Sequence, residues 1–145
     1  MTRMRTLLFS ALALLGCIGA TTDDFAVINN SGSTNANGYI IQIWADGDAS
    51  IMPQSHGGQI AGAPKAFNVP PTIAQKLFSD LAAARQANAA TVPCMKPVSF
   101  GSTLRVSWQG WDSPDLTCPP KDSLGDALLS DAEAIAKAGG VANTP

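Results

Sequence analysis

The run Tyr39-Ile40-Ile41-Gln42-Ile43-Trp44 constrains this chain more than any other stretch. Its β-branched and aromatic residues suit a pleated, half-buried surface, so it reads as a strand. Asp46-Gly47 follows, a pair that accepts positive φ in a two-residue hairpin turn. Ala49 to Met52 then returns as the partner strand. Tyr39, Ile41 and Ile43 share one face of this hairpin, and that face needs cover.

The rest of the chain supplies the cover and more strands. Phe25 to Asn29 is a short β-branched run, and Asn30 to Gly38 is a polar turn cluster. Ser55 to Pro64 is a glycine-rich loop, and Ala66 to Val69 is a further short strand. Pro70-Pro71 opens a helix, because proline suits the first helical turn. Ile73, Leu77, Leu81 and Ala84 recur at helical spacing, and the helix fades near Asn88. Val98 to Phe100 and Thr103 to Gln109 suggest a hairpin across Gly101-Ser102. Asp112 to Pro120 is loop. Ser123-Leu124-Gly125-Asp126 reads as a capping box with Asp in place of Glu. It starts a last helix striped by Leu124, Leu128 and Ile135 and stopped at Gly139-Gly140.

Separated runs of strands and helices favour an α+β fold over a parallel α/β sheet. The expected architecture is an antiparallel sheet of four to six short strands with both helices on one face. Leu104, Val106 and Trp108 join Tyr39, Ile41 and Ile43 on the buried side. The opposite side then carries Gln42, Trp44, Arg105, Ser107, Gln109 and Trp111.

The first twenty residues stand apart. Arg3 and Arg5 precede an apolar run from Leu7 to Leu15, and small residues close at Cys17 to Ala20. That is the layout of a bacterial export signal, and the run is well short of the ~20 residues a spanning helix needs. Residues 1–20 are therefore read as a signal peptide and 21–145 as one domain, with an ordered core over about 24–138. Two exits compete. Leu14-Leu15-Gly16-Cys17 resembles a lipobox, which would put a lipid on Cys17 and tether the domain to a membrane. Simple cleavage after Ala20 is the rival. Localisation follows as periplasm, outer envelope or secreted. An oxidising compartment then predicts a Cys94–Cys118 disulfide, closing a loop of about 25 residues for roughly 3.5 kcal/mol.

Charge narrows the partners. Without residues 1–20, seven basic residues face eleven acidic ones, which argues against nucleic acid and its need for a basic surface. A protein or a saccharide remains.

Catalytic motifs are weak. His56, the only histidine, follows Ser55, but triads assemble across a fold, not between neighbours. Asp46-Gly47-Asp48 lacks the Gly and Glu that a calcium loop needs at its sixth and twelfth places. One histidine and two distant cysteines cannot make a zinc site without carboxylates. Asp112, Asp115 and Glu133 could serve acid–base chemistry of the glycosidase kind, yet Asp112-Ser113-Pro114-Asp115 reads better as a turn. There is no Gly-Lys-Ser/Thr phosphate loop, so no cofactor is implied. Trp44, Gln42, Arg105 and Trp111 form the one ligand-binding group worth attention, since exposed aromatics beside polar groups mark binding surfaces.

Cys94, Ser99-Phe100-Gly101-Ser102, Val106-Ser107-Trp108, Ser113-Pro114-Asp115-Leu116 and Cys118, after Phe78-x-x-Leu81, together resemble small exported bacterial proteins of uncharacterised function. The likeness covers residues 25 to 137 and implies that the cysteine pair and the Ser-Pro-Asp-Leu turn belong to the framework. The expected role is a non-catalytic envelope or secreted domain that binds a partner. The alternatives are a small secreted hydrolase using carboxylates and an inhibitor of a secreted enzyme, with loops 53–66 and 110–122 as its inserting parts.

Overall fold

The computed structural model describes residues 24–56, 58–87, 94–96, 101–118 and 122–141. Residues 1–20, the stretch read as a signal peptide, lie outside them, and Cys17 with it. The chain forms an α+β fold: β1 (Phe25–Asn30), β2 (Gly38–Trp44), β3 (Asp48–Gln54), β4 (Lys65–Asn68), α1 (Pro71–Ala87), β5 (Leu104–Trp108), β6 (Trp111–Asp112) and α2 (Ser123–Ala138). The six strands make one antiparallel sheet in the order β4-β3-β2-β1-β5-β6. Four strands are laid down side by side. The chain then passes through α1 and adds β5 and β6 on the far side of β1.

Period-two alternation decides which face is buried. Ala26 and Ile28 of β1, Tyr39, Ile41 and Ile43 of β2, and Leu104 and Val106 of β5 point into one core with Leu77, Leu81, Leu128 and Ile135. Ile28, Ile41, Ile43, Leu77 and Leu81 are fully buried, and each such side chain contributes about 1.5–3 kcal/mol. Both helices lie on this face. Phe78 of α1 meets Trp108 edge-on, with centroids 5.7 Å apart. Phe67 of β4 sits under Gly139, at the end of α2.

The turns differ in detail from expectation. The β2–β3 reversal takes three residues, Ala45-Asp46-Gly47, and not two. The Gly47 amide donates to the Trp44 carbonyl at 3.0 Å and the Asp46 carboxylate takes the Asp48 amide at 3.0 Å. Gly47 has φ 98°, the bulge position that completes a three-residue hairpin loop. Residues 97–100 lie outside the described ones, so the expected 98–100 strand does too. The strand at 104–108 pairs with β1 and β6, and its hairpin turn is Gln109-Gly110. α2 is capped by Asp122, one residue before the expected Ser123. Its carboxylate accepts from the Gly125 amide at 2.7 Å.

The Cys94–Cys118 disulfide is present, joining residues 24 apart with Cα atoms 5.8 Å from each other. It closes over the outer edge of β5. There the Ser113 hydroxyl accepts from the Val106 amide at 2.9 Å, and the Ser113 amide donates to the Val106 carbonyl at 2.9 Å. The Asp115 carboxylate accepts from the Leu104 amide, and the Leu116 amide donates to the Leu104 carbonyl. The Ser-Pro-Asp-Leu segment thus replaces a neighbouring strand along Leu104 to Val106.

Candidate functional site

The sheet face away from the helices carries no described element over it. Register places Phe25 opposite Trp44 and Val27 opposite Gln42. Ser107 lies beyond Val27, and Asp112 beyond Ser107. One row thus crosses the sheet as Ser50, Gln42, Val27, Ser107 and Asp112. The Phe25 and Trp44 rings touch at 5.5 Å with a 48° tilt. Phe25, Val27, Ile40, Gln42, Trp44 and Met52 are all half-buried, an apolar content unusual for a solvated sheet face.

The predicted ligand group divides. Gln42, Trp44 and Arg105 do share this face, with Arg105 exposed and paired through Asn29. Trp111 does not. It stands opposite Trp108, and Trp108 continues the buried alternation of Leu104 and Val106. Both rings pack at the rim of the helix-side core. The two-residue turn between them keeps their side chains on one side of the ribbon. Phe25, absent from the predicted group, is the aromatic partner of Trp44. Alternation through Ala26 and Ile28 was the signal that would have found it.

Gln109 is the only described non-glycine residue with positive φ, at 47°. Its side chain is held at both ends. The Arg85 guanidinium donates to Oε1 at 2.7 Å, and Nε2 donates to the Asp24 carboxylate at 3.3 Å. The Trp108 indole also donates to Asp24, at 2.7 Å. This network ties the hairpin tip to α1 and to the start of β1.

The three carboxylates considered for acid–base chemistry are dispersed. Asp112 takes the Ser107 hydroxyl at 2.5 Å on the open face. Glu133 is exposed on α2, on the helix side. Asp115 lies within the disulfide loop. Its Oδ2 is 2.6 Å from the Lys96 ammonium, and its Oδ1 accepts from the amides of Thr117 and Leu104 and the Thr117 hydroxyl. Lys96 also donates to the Ser102 carbonyl and to Thr117. Burial opposes ionisation of Asp115, but the hydrogen bonds of Lys96, Thr117 and Leu104 outweigh it and hold the carboxyl below its usual range.

Other expectations resolve simply. His56 is an exposed loop residue. Asp46 and Asp48 serve the turn and its flank, with Asp48 taking the Asn68 amide group at 2.7 Å. Cys94, Asp115 and Cys118 bring three metal-type donor atoms within 4.8 Å of one another. The two sulfurs are bonded to each other, so neither is a thiolate ligand in this oxidised state.

An acid pair links the helices. The Lys76 ammonium of α1 lies 2.7 Å from Asp80 and 2.8 Å from Asp131 of α2. Asp131 is buried, and its Oδ2 has no donor in the structure. Burial raises its pKa, the Lys76 hydrogen bond draws it back, and Asp80 adds to the rise. For Asp80, burial is outweighed by hydrogen bonds from Lys76 and Asp131, and its pKa is lowered. The two carboxyls thus shift in opposite directions beside the one ammonium that both of them contact.

No family model, no curated protein and no solved structure matches this chain.

Proposed function

We propose that the chain is an exported, non-catalytic binding domain whose open sheet face takes a partner, a protein or a saccharide. One observation carries this reading. The helix-free face presents the Phe25–Trp44 pair beside Gln42 and Arg105, and no described element covers them. The signal-like first twenty residues support export, to the periplasm, outer envelope or medium. A lipid on Cys17 would hold the domain at a membrane surface with the same face available.

The test is crosslinking in the native envelope combined with a glycan panel, using the wild type and Trp44→Ala. A partner held by the wild type and lost by Trp44→Ala, with thermal unfolding unchanged, supports the reading. Capture that ignores Trp44→Ala overturns it. So does complete shielding of the tryptophans from acrylamide.

The inhibitor alternative has one observation in its favour. The loop after β3 is braced by the Gln54–Ile60 bridge, and it still presents Ile60 at 63% exposure. A braced loop with an apolar tip fits an enzyme cleft. Loss of capture with Ile60→Asp, and not with Trp44→Ala, would move the contact to that loop.

A further inference from the structure

We propose that, while residues 1–20 remain attached, the apolar run 7–15 lies across the open sheet face as its missing layer, so that cleavage uncovers the binding face. The occupant is a segment of this same chain. The effect on binding rests on the open-face reading above; the packing does not.

The chain enters the sheet at its middle. Asp24 is pinned by the Trp108 indole at 2.7 Å and by Gln109 at 3.3 Å, and β1 begins at the next residue. β1 is an inner strand, with β2 on one side and β5 on the other. The upstream segment therefore leaves beside the Phe25–Trp44 pair. One side of the sheet there is taken by α1 and α2, and the other has no described element over it. Residues 16–24, nine in all, reach up to about 30 Å when extended. β1 has six residues and spans about 20 Å, so the run can come back over its whole length.

Size, polarity and charge match. As a helix, the nine residues 7–15 span about 14 Å, the width of β1, β2 and β3 side by side at roughly 4.8 Å each. Those strands offer Val27, Ile40 and Met52 beside the aromatic pair, all half-buried. Apolar surface of this kind gains from cover. Residues 1–20 carry Arg3 and Arg5 and no acid. On the open face the exposed Asp48 and Asp112 outnumber Arg105, so a basic start meets a net acidic surface. Cleavage after Ala20 or before Cys17 removes the whole run.

Photo-crosslinking of the uncleaved chain tests this. Benzoylphenylalanine replaces Leu12 in a Cys17→Ser background, and the full chain is refolded with its disulfide, dilute and without lipid. The expected products are crosslinks within one chain to peptides of residues 25–54. Leu14→Asp should cut their yield about fivefold or more, because a carboxylate is costly to bury in an apolar contact. Crosslinks only between chains, only to α1 or α2, or to nothing overturn the proposal. So does a yield that ignores Leu14→Asp. Acrylamide quenching of the chain from Thr21 tests the binding reading alone. Tryptophans open there, with no crosslink in the full chain, sink this inference and leave that reading standing. Tryptophans fully shielded there sink the binding reading and leave the packing to the crosslinks.

Discussion

Two single residues show how backbone demands outrank side-chain chemistry. Gly47 sits at φ 98°, and a Cβ there would stand 2.2 Å from the Val69 carbonyl oxygen. That oxygen belongs to the residue whose amide bonds Gly47 in return, at 2.9 Å. Gly47→Ala therefore strains the turn and pushes the β4 segment away, and it should cost about 2–3 kcal/mol in urea unfolding. Gly110, at φ 73° with open space around it, should cost only about 1 kcal/mol on the same change. Ser113 is fully buried and its hydroxyl receives the Val106 amide. Ser113→Ala leaves that amide without a partner and should cost about 1–3 kcal/mol. Its fixed place makes the Ser-Pro-Asp-Leu turn part of the framework. The hydroxyl and carboxylate there bond the backbone of β5 directly.

At the scale of elements, α1 and α2 are joined through the Lys76, Asp80 and Asp131 cluster. The sign of its pH dependence follows from the two opposite shifts. The lowered pKa of Asp80 gives stability that is present above its unfolded value and lost as pH falls through the folded one. The raised pKa of Asp131 gives stability that is full while it is protonated and lost as pH rises through its folded value. The pair thus favours mildly acidic pH, near the ordinary carboxylate range. Asp131→Asn keeps an acceptor for Lys76 and removes the titration, so it should abolish the decline in stability as pH rises above the ordinary carboxylate range. Urea midpoints at several pH values check this; parallel curves for wild type and variant would contradict it.

The longer elements were legible because alternation is a strong signal. The strands at 25–30, 38–44 and 48–54 carry it through Ala26, Ile28, Tyr39, Ile41, Ile43 and Ile51. The helix at 71–87 carries it through Leu77, Leu81 and Ala84. β6 was not legible. It has two residues, and its turn uses Gln109 at a position where Asn, Asp or Gly is usual. That conformation is held by Arg85 and Asp24, contacts 24 and 85 residues away. The same gap hid Trp111, whose face depends on the length of that turn. Gln42, Trp44 and Arg105 could be read from parity within β2 and β5. Phe25 follows from the alternation of Ala26 and Ile28, but its place beside Trp44 needed the pairing of β1 with β2, which local pattern does not reveal.

On the scale of the whole molecule, the disulfide and the sealed edge of β5 act together. Cys94 and Cys118 hold the segment that supplies Ser113, Asp115 and Leu116 to that edge. Reduction of the disulfide should lower stability by about 3–4 kcal/mol. The loss should be seen first as faster amide exchange at Leu104 and Val106, while the amides of β2 stay protected. Equal exchange along both strands would mean that the loop contributes only chain entropy.

The sealed edge has one more consequence, for how copies of this molecule can meet. Side-chain and loop groups already occupy the outer hydrogen-bonding positions of Leu104 to Val106, and β6 offers only two residues beyond. Among the described residues, β4, four residues long and bounded by Pro64 and Pro70, is the sole remaining rim. A sheet with one usable rim cannot propagate into a ribbon. Two copies could join rim to rim about a dyad, and growth would halt at that pair.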